Sequence, residues 1–416
     1  MPTLNRTVLL IGTADTKRDE LAYLREQIQA MGANTLLMDV GVLAPGDVPV
    51  DISNAQVALA AGSDIDAVTA SGDENSAMTL MARGATELAM RLYQEGKIQG
   101  MLALGGSMGT DLAFDVAAAL PLGVPKVVVS TIAYSHLIPP ERITPDLIMV
   151  LWAGGLYGLN SLCRSALSQG AGAVVGAMMA AQPPHRGRPM VGMTSLGKSC
   201  LRYMVELKPA LEARGSEVAV FHSSGMGGRA FEALAAEGRF CAVMDFCLQE
   251  LANQMGGSVV NSGPSRLTGA GQSATPQIVA PGATDMVDFP AWQPIPERLA
   301  GRPVHVHNRL IASATSDQVL RREIAQAIGQ RLAQAKGPSC LILPSGGIQA
   351  WDRPGEPLHD PEGLKAYCEA LRETVKAPVK LHEVACHIND TAFTTAALQI
   401  FDDWVRQGLI PSGHKP

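Results

Sequence analysis

The sequence predicts an α/β protein made of two doubly wound subdomains with parallel sheets and a cleft between them. Short apolar runs end in glycines or small polar residues and then give way to amphipathic helices, as over residues 7–31. The same order begins again after a proline-rich joint at 182–189. Glycine is abundant at 42 residues and aromatic residues are scarce at 4%, which suits tight turns and close packing of helices on sheets.

The composition limits the classes of function. With 416 residues, of which 47% are hydrophobic and 17% charged, the chain can form two folded domains, expected at 1–182 and 189–416. The net charge of −6 argues against nucleic acid as the main partner, because phosphate backbones are bound through clustered lysine and arginine. The longest apolar runs, 147–159 and 171–181, are shorter than the roughly 20 residues of a membrane span. We therefore expect no membrane partner.

The cysteines and the first residues indicate a compartment. Seven cysteines are scattered without a C-x-x-C pair, which favours neither a disulfide framework nor a cysteine zinc site. Residues 1–6 lack the basic, apolar and small-residue order of a secretory signal. These features predict a cytoplasmic protein.

The first half opens with a βαβ pattern. Branched residues over Thr7–Ile11 predict a buried parallel strand, and Gly12–Lys17 follows at its carboxyl end, which faces ligand in open α/β sheets. An amphipathic helix stops at Gly32, and Asn34–Val40 is a second strand. The sequence leaves two interpretations of Asp39 open, because an aspartate there can bind a ribose or serve a turn.

The chain is organised around Met101–Asp111, an apolar run followed by three glycines and two hydroxyl residues. A long excursion over Leu43–Asn75 and a helix over Ser76–Glu95 precede it, and a buried strand over Gly123–Val129 follows. The second half of Met101–Asp111 predicts a turn that leads directly into a helix at Leu112–Leu120. Such a turn can hold an anion, because glycines let backbone N–H groups approach a ligand and the helix start carries partial positive charge. The alternative is tight packing without a ligand.

The second half is expected to repeat the first. Pro189–Thr194 parallels Leu9–Thr13, and Glu217–Phe221 corresponds to the second strand. Val259–Ser265 and Ala274–Ala280 echo the glycine loop and the strand after it. The remaining elements expected in chain order are a helix to Ala335 with a capping box of Thr315 and Gln318, a strand Cys340–Leu343, a helix start at Asp360, a strand Leu381–Ala385 and a helix Thr391–Gln407.

The richest polar loop is Phe221–Ala230, which ends a strand and opens a helix. His222 is a candidate general acid or base near neutral pH, and Arg229 is a candidate partner for a phosphate or carboxylate. The alternative is a second packed glycine turn in which His222 bonds to backbone. The convergence of so many polar groups in one loop favours a ligand role.

His387, Asn389 and Asp390 form a second polar cluster after a strand. These residue types can move protons and orient a substrate. Asp390 can equally cap the following helix and Asn389 can serve a turn, so structure and catalysis remain equal alternatives for this stretch.

Two weaker patterns complete the set. His305 and His307 alternate on a strand with spacing that suits a metal, but no third ligand is located, and we assign no metal site. Residues 192–199 match the phosphate-loop pattern G-x-x-x-x-G-K-S, which we discount because the intervening residues are poor in glycine. No G-x-S-x-G nucleophile elbow is present.

Taken together, the motifs resemble one family, the ATP-binding domain of the tomato mosaic virus resistance protein and its bacterial and fungal relatives. The resemblance covers nearly the whole chain and is carried by Gly12–Lys17, Gly105–Thr110, Phe221–Gly228, Pro281–Met286, His307-Asn308 and His387–Asp390. It implies two Rossmann-like subdomains, ATP binding and a dimer, and we expect a homodimer or higher homo-oligomer. It does not imply a reaction.

We expect a protein that binds ATP or a related phosphorylated ligand, with or without Mg²⁺. We favour an enzyme that acts on a small oxygen-rich metabolite in the cleft by hydrolysis, carbon–carbon cleavage or group transfer. The alternative is a non-catalytic nucleotide-binding module for regulation or interaction. The residues assigned to the cofactor are Gly12, Thr13, Asp15, Lys17, Gly105, Gly106, Ser107, Gly109, Thr110, Gly225, Gly227, Gly228 and Arg229, and those assigned to catalysis are His222, His387, Asn389 and Asp390.

Overall fold

A computed structural model describes residues 6–43, 49–182, 184 and 187–413. The chain divides into two compact units, Met1–His185 and Arg186–Pro416, here called the N-terminal and C-terminal domains. Each contains a parallel sheet with helices packed on it, so the α/β, doubly wound fold class is confirmed. Residues 183, 185 and 186 of the expected joint lie outside the described residues.

The N-terminal domain alternates strands and helices. Its described strands are β1 to β5, at Thr7–Gly12, Asn34–Asp39, Gly100–Gly105, Lys126–Ser130 and Leu147–Leu151. Its described helices are α1 to α6, at Arg18–Ala30, Asn54–Ala60, Ile65–Thr69, Glu74–Gln94, Ser107–Ala119 and Ser161–Ala180.

The N-terminal sheet has the strand order β2-β1-β3-β4-β5, and all of its pairs are parallel. From β1 the chain crosses to β2 on one side, and it later returns to β3 on the other side of β1. This reversal is a topological switch point, where loops leaving adjacent strands diverge and leave a crevice. The loops after β1 and β3 therefore flank the position at which open α/β sheets bind ligands.

Two details of this domain differ from the sequence expectation. The excursion after Leu43 contains helices α2 and α3, which pack with α4, while residues 44–48 lie outside the described residues. Helix α5 begins at Ser107 rather than Leu112, because Gly106 is its N-cap and the glycine-rich stretch is itself the first turn. The helix start therefore lies directly at the end of β3.

The C-terminal domain continues the alternation. Its described strands are β6 to β14, at Met190–Ser195, Glu217–His222, Ala242–Cys247, Gln277–Gly282, Met286–Pro290, Val304–Val306, Ile311–Thr315, Ser339–Pro344 and Lys380–Val384. Its described helices are α7 to α13, at Arg202–Ala213, Met226–Ala236, Gln249–Met255, Gly269–Gln272, Gln318–Ala333, Pro361–Thr374 and Thr391–Arg406.

The main C-terminal sheet is parallel, with the order β14-β13-β9-β8-β6-β7. Its first five strands in chain order repeat the arrangement of the N-terminal sheet, and β14 adds a sixth. A separate antiparallel sheet, β10-β12-β11, was not expected from the sequence. It carries the histidines at 305 and 307 on or beside β11.

Two expectations for this domain were wrong. Val259–Ser265, which was expected to echo the glycine loop after β3, contains no strand and follows helix α9, and the third strand of the parallel sheet is β8. A charged residue, Asp245, interrupts the apolar pattern of β8 and is buried against Arg266. Helix α11 is capped by Asp317, whose side chain accepts a hydrogen bond from the Leu320 N–H, because Thr315 still belongs to β12.

The seven cysteines are free thiols. In the described ranges, no helix is both long enough and apolar enough to cross a membrane.

Candidate functional site

A cavity of about 420 Å³ lies at the switch point of the N-terminal sheet. One part of its wall is the loop after β1, from Gly12 to Lys17, and another is the loop after β3, from Gly105 to Gly109. Its volume falls within the range of small-molecule sites, about 300 to 1,000 Å³. The structure therefore brings together two loops that are about 90 residues apart in the sequence.

Two of the helices that begin at this cavity, α1 and α5, differ from the other α-helices described in their domain. Helices α2, α3, α4 and α6 each have a side chain that accepts a hydrogen bond from a first-turn N–H. Neither α1, with Lys17 at its N-cap, nor α5, with Gly106, has such a side-chain bond. Since the first N–H groups of a helix have no helical acceptor, these starts leave donors for another acceptor.

The adjacent glycines before α5 have different physical roles. A Cβ on Gly105 would lie 2.7 Å from the Gly109 Cα, so this glycine is required for close packing of strand and helix. A Cβ on Gly106 would meet its nearest neighbour, the Thr131 hydroxyl, at 3.7 Å. Packing therefore accounts for Gly105 but leaves Gly106 without a steric reason to be glycine.

The hydroxyl residues of this turn are also distinct. Ser107 lines the cavity at the first position of α5. Thr110 is fully buried, its hydroxyl lies 2.7 Å from the Ser130 hydroxyl, and it is not among the residues that line the cavity. The structure therefore places the Thr110 side chain in the packing between β4 and α5.

Two carboxylates organise the loop after β1. The Oδ1 atom of buried Asp39 accepts hydrogen bonds from the N–H groups of Ala14 and Gly41, each at 2.9 Å. Burial is the main cause that raises the Asp39 pKa. These bonds support the turn interpretation of Asp39. Asp15 instead lines the cavity, where its Oδ2 accepts from the Leu43 N–H at 3.2 Å.

Asp15 retains an unused acceptor. Its Oδ1 atom is buried and has no hydrogen-bond partner among the described residues. Lys17 also lines the cavity, and its ammonium lies 5.9 Å from the centre of the Tyr157 ring. The loop after β1 therefore presents one cation and one unsatisfied carboxylate oxygen.

Another wall of the cavity is apolar except for Glu74, the first residue of α4. Helix α4 contributes Met78 and Met81, and the segment after β2 contributes Val40 and Val42. A polar floor with a largely apolar wall suits a ligand with a charged end and a flat or apolar end.

In the C-terminal domain, the glycine loop after β7 is arranged differently. The Glu250 Oε1 atom accepts hydrogen bonds from the N–H groups of Gly225, at 2.6 Å, and Gly228, at 3.0 Å. A Cβ on Gly228 would lie 1.7 Å from Glu250 Oε2, and one on Gly227 would lie 1.9 Å from the His222 carbonyl oxygen. A carboxylate of the protein thus occupies the position at which the sequence suggested a bound anion.

Glu250 belongs to a buried ionic network. Its Oε2 atom accepts a hydrogen bond of 3.0 Å from Arg266, whose guanidinium also pairs with Asp245 and Glu232. All four residues are at most 4% exposed. Burial raises the Glu250 pKa and Arg266 opposes that rise. The network fixes the loop from the interior, and the sequence analysis did not identify Glu250.

His222 is the exposed titratable group of this loop. No side-chain hydrogen bond of its ring is present within the described ranges, and its Cε1 lies near Gly197. Partial burial and then the neighbouring His307 lower the His222 pKa, so the ring is neutral at pH 7. The side chain of Arg229 lies beside Gly263 in the same region.

His387 is, in contrast, buried and bonded through both ring nitrogens. Its Nδ1 accepts a hydrogen bond from the Asn389 N–H at 3.0 Å, so Nε2 carries the proton. Nε2 lies 2.9 Å from Asp352 Oδ1 and 3.0 Å from the Gln349 carbonyl oxygen. In this arrangement His387 joins two loops through hydrogen bonds at both ring nitrogens.

The neighbours of His387 are also bonded internally. Asn389 donates to the Ser199 carbonyl oxygen at 2.8 Å. Asp390 stands at the N-cap of α13, where it accepts from the His387 N–H at 2.9 Å and pairs with Arg353 at 2.8 Å. These bonds tie the loop after β14 to the loop after β6.

The rings of His305 and His307 lie 6.4 Å apart, and both lie beside Trp351. Among the residues that the structure describes, no group of three His, Cys, Asp or Glu side chains is placed to hold a metal ion. The phosphate-loop match at 192–199 does not form a cradle, because Gly192 lies inside β6 and α7 begins only at Arg202.

Sequence models of known families match both domains. Residues 6–183 match a model described as the uncharacterised protein family UPF0261 N-terminal domain. Residues 188–405 match the model of the C-terminal domain of the same family.

Individual proteins are similar over almost the whole chain. A UPF0261 protein of Brucella melitensis is 54% identical over 407 residues, covering 98% of this chain and 97% of the relative. One of Clostridium tetani is 35% identical, with 94% and 97% covered. The ToMV susceptible protein tm-1(GCR26) of Solanum lycopersicum is 29% identical over 95% of this chain and 55% of its own length. With both family models matched in order, this chain belongs to the UPF0261 family.

Proposed function

We propose that the N-terminal domain binds ATP or a related phosphorylated ligand in the cavity between the loops after β1 and β3. One observation carries this proposal. Three described α-helices of the domain begin at the cavity, and two of them, α1 and α5, have no side-chain cap, whereas α4 is capped by Asp73. Phosphate oxygens supply the acceptors that such helix starts lack.

The surrounding residues support a nucleotide. The first-turn N–H groups of Ser107, Met108 and Gly109 would hold phosphate oxygens, and Lys17 would balance their charge. The methionines of α4 offer an apolar surface for the base. Asp15 supplies an unsatisfied carboxylate oxygen, which can accept from a ribose hydroxyl or from water bound to Mg²⁺.

Calorimetric titration with ATP, ADP, AMP and adenosine, each with and without Mg²⁺, tests the proposal. We expect affinity to fall as phosphates are removed. Gly106→Val should weaken ATP binding at least about tenfold, because its methyl groups cover the first-turn N–H groups. Gly172→Val is the matched control, since a Cβ at that helical position meets no atom within 4 Å. Equal ATP binding by the wild type and Gly106→Val would contradict the placement of the phosphates.

A second candidate function is chemistry on a small oxygen-rich metabolite in the C-terminal domain. It is favoured by His222, a neutral imidazole that is exposed and carries no side-chain hydrogen bond among the described residues. Such a ring can accept a proton from a substrate. His387 is less suited to direct proton transfer, because both of its nitrogens are bonded within the protein.

A metabolite screen with wild type and His222→Ala separates an enzyme from a non-catalytic module. Turnover of a metabolite that His222→Ala reduces at least about a hundredfold supports proton transfer by this histidine. Unchanged turnover in the variant removes His222 from the mechanism, and nucleotide binding without any turnover favours the regulatory alternative.

A further inference from the structure

The C-terminal domain contains a second cavity, of about 350 Å³, whose lining includes Asp352, the hydrogen-bond partner of His387. It is formed by the loop after β9, the loop after β13 and one face of α12 from Pro361 to Arg372. The carboxyl ends of β9 and β13, adjacent strands of the parallel sheet, lie at this position. That is the edge of the sheet at which α/β proteins bind ligands.

Asp285 is the residue that distinguishes this cavity. It lines the cavity, is 4% exposed, and its Oδ1 atom has no hydrogen-bond partner among the described residues. Its other oxygen, Oδ2, accepts from the Gln349 side chain at 3.2 Å. A buried carboxylate oxygen without a donor is costly, which indicates that a donor is supplied from outside the described protein.

Apart from the exposed Lys365, the other polar side chains of the lining are acceptors or already have partners. The Ser345 hydroxyl donates to the Val384 carbonyl oxygen and the Gly346 N–H donates to that of Cys386. Arg372 is paired with Glu383. His359 is bonded through Nδ1 to the Asp352 carbonyl oxygen, which leaves its Nε2 as an acceptor. A complementary ligand must therefore bring hydrogen-bond donors.

The charge around Asp285 selects the type of donor. Asp352 and Asp360 also line the cavity, and Arg321, which pairs with Asp360, is the neighbouring cation. Asp360 is 34% exposed, and the lining cation Arg372 is paired with Glu383. At the buried end, the two carboxylates of Asp285 and Asp352 therefore outnumber the guanidinium of Arg321, which favours a cationic donor over a neutral hydroxyl. Lys365 lies at the exposed rim, where it can meet a carboxylate of the same ligand.

We propose that this cavity binds a small primary amine, with the ammonium group held by Asp285 Oδ1 and a carboxylate tail tolerated near Lys365. The site concerns the C-terminal domain alone and does not depend on nucleotide binding by the N-terminal domain. Its ligand class is a compact aliphatic amine or amino acid.

Four-carbon probes test the charge requirement without changing ligand length. Putrescine and 4-aminobutanoate carry ammonium groups, whereas 1,4-butanediol is neutral and succinate is anionic. We expect calorimetry at pH 7.5 to detect both amines, with butanediol and succinate at least about tenfold weaker. Binding of succinate in preference to both amines, or no binding of any probe at millimolar concentration, would overturn the proposal.

Two variants locate the binding. Asp285→Asn should weaken putrescine at least about tenfold, because it removes the charge of the inner acceptor. Lys365→Gln should weaken 4-aminobutanoate more than putrescine, while Asp66→Asn, an exposed change in α3, should alter neither. Unchanged putrescine affinity in folded Asp285→Asn would contradict the assignment.

The wild type offers a test that does not depend on the folding of a variant. Burial and Asp352 raise the Asp285 pKa, and Arg321 opposes the rise. Other titratable groups that act on or respond to Asp285 are Cys200 and Tyr367. Amine affinity should therefore decrease as the pH falls from 7.5 to 5, and affinity that stays constant over this range would count against binding by Asp285.

Discussion

The guanidinium of Arg266 forms two hydrogen bonds with the carboxylate of Asp245, at 2.5 and 2.6 Å, in the fully buried interior of the C-terminal domain. The same guanidinium pairs with Glu232 and Glu250. Each of these two carboxylates accepts backbone N–H groups, Glu250 from the loop after β7 and Glu232 from the start of α10. One arginine therefore connects a sheet strand with two loops.

This network predicts a large loss of stability when the arginine is removed. Arg266→Met leaves three buried carboxylates without their cation, and we expect the free energy of unfolding to fall by about 3–5 kcal/mol or more. Urea denaturation measures this change. Arg298→Met, which breaks the exposed pair with Glu323, is the control and should cost about 1 kcal/mol or less. Similar losses in the two variants would contradict the role given to Arg266.

The adjacent glycines before α5 should respond differently to the same substitution. Gly105→Ala places a methyl group against the backbone of Gly109 and should lower the free energy of unfolding by about 1–3 kcal/mol. Gly106→Ala meets no close neighbour and should change it by about 0.5 kcal/mol or less. Thermal denaturation of both variants compares them directly, and equal destabilisation would show that packing requires both glycines.

Substitution of His222 and of His387 should also have different effects on stability. His387→Ala removes a buried ring that bonds Asp352 and Asn389, so we expect a loss of about 2–4 kcal/mol. His222→Ala changes an exposed ring and should cost about 0.5 kcal/mol or less. Chemical denaturation gives both values. A stable His387→Ala variant would be incompatible with its bridging role.

The buried carboxyl group of Asp288 should make the free energy of unfolding depend on pH. Burial raises its pKa from 3.8 to about 6, although Ser313, Asn253 and Gln249 oppose the rise by hydrogen bonding. Because the folded state binds this proton more tightly, the stabilising contribution is complete below about pH 4 and is lost as the pH rises through about 6. At higher pH the ionised Asp288 carboxylate lowers the free energy of unfolding by on the order of 3 kcal/mol.

Asp288→Asn tests this sign, since asparagine keeps an acceptor for Ser313 and Gln249 but does not ionise. The variant should gain stability relative to the wild type between pH 4.5 and 7.5. The exposed Asp66→Asn serves as control in the same denaturation series. A relative stability that does not change with pH would remove Asp288 from the pH dependence.

The sequence predicted the alternation of strands and helices because buried parallel strands form continuous apolar runs, as over Thr7–Ile11. The sequence did not predict β8, because the charged Asp245 interrupts its apolar run. Asp245 is buried against Arg266, which lies 21 residues further along the chain, and hydrophobic periodicity cannot reveal such a pair. The sequence also predicted the cap of α11 at Thr315, because Thr315 and Asp317 both precede the helix. Only the pairing of Thr315 with a neighbouring strand shows that Asp317 is the cap.

The site could be predicted in part for a similar reason. Glycine-rich turns after strands are visible locally, and the loops of Gly12–Lys17 and Gly105–Gly109 do line one cavity. Whether the N–H groups of such a turn are available to a ligand depends on carboxylates that are distant in the sequence. Glu250 fills the loop after β7, whereas the start of α5 has no corresponding side-chain cap in the described residues. The tertiary fold alone decides between these outcomes.

The most direct test of nucleotide binding is a crystal structure of the protein with ATP and Mg²⁺. We predict phosphate density within about 3 Å of the backbone nitrogens of Ser107, Met108 and Gly109, with the base against Met78 or Met81. Phosphate density at any other position, or an empty cavity at saturating ATP, would contradict this prediction.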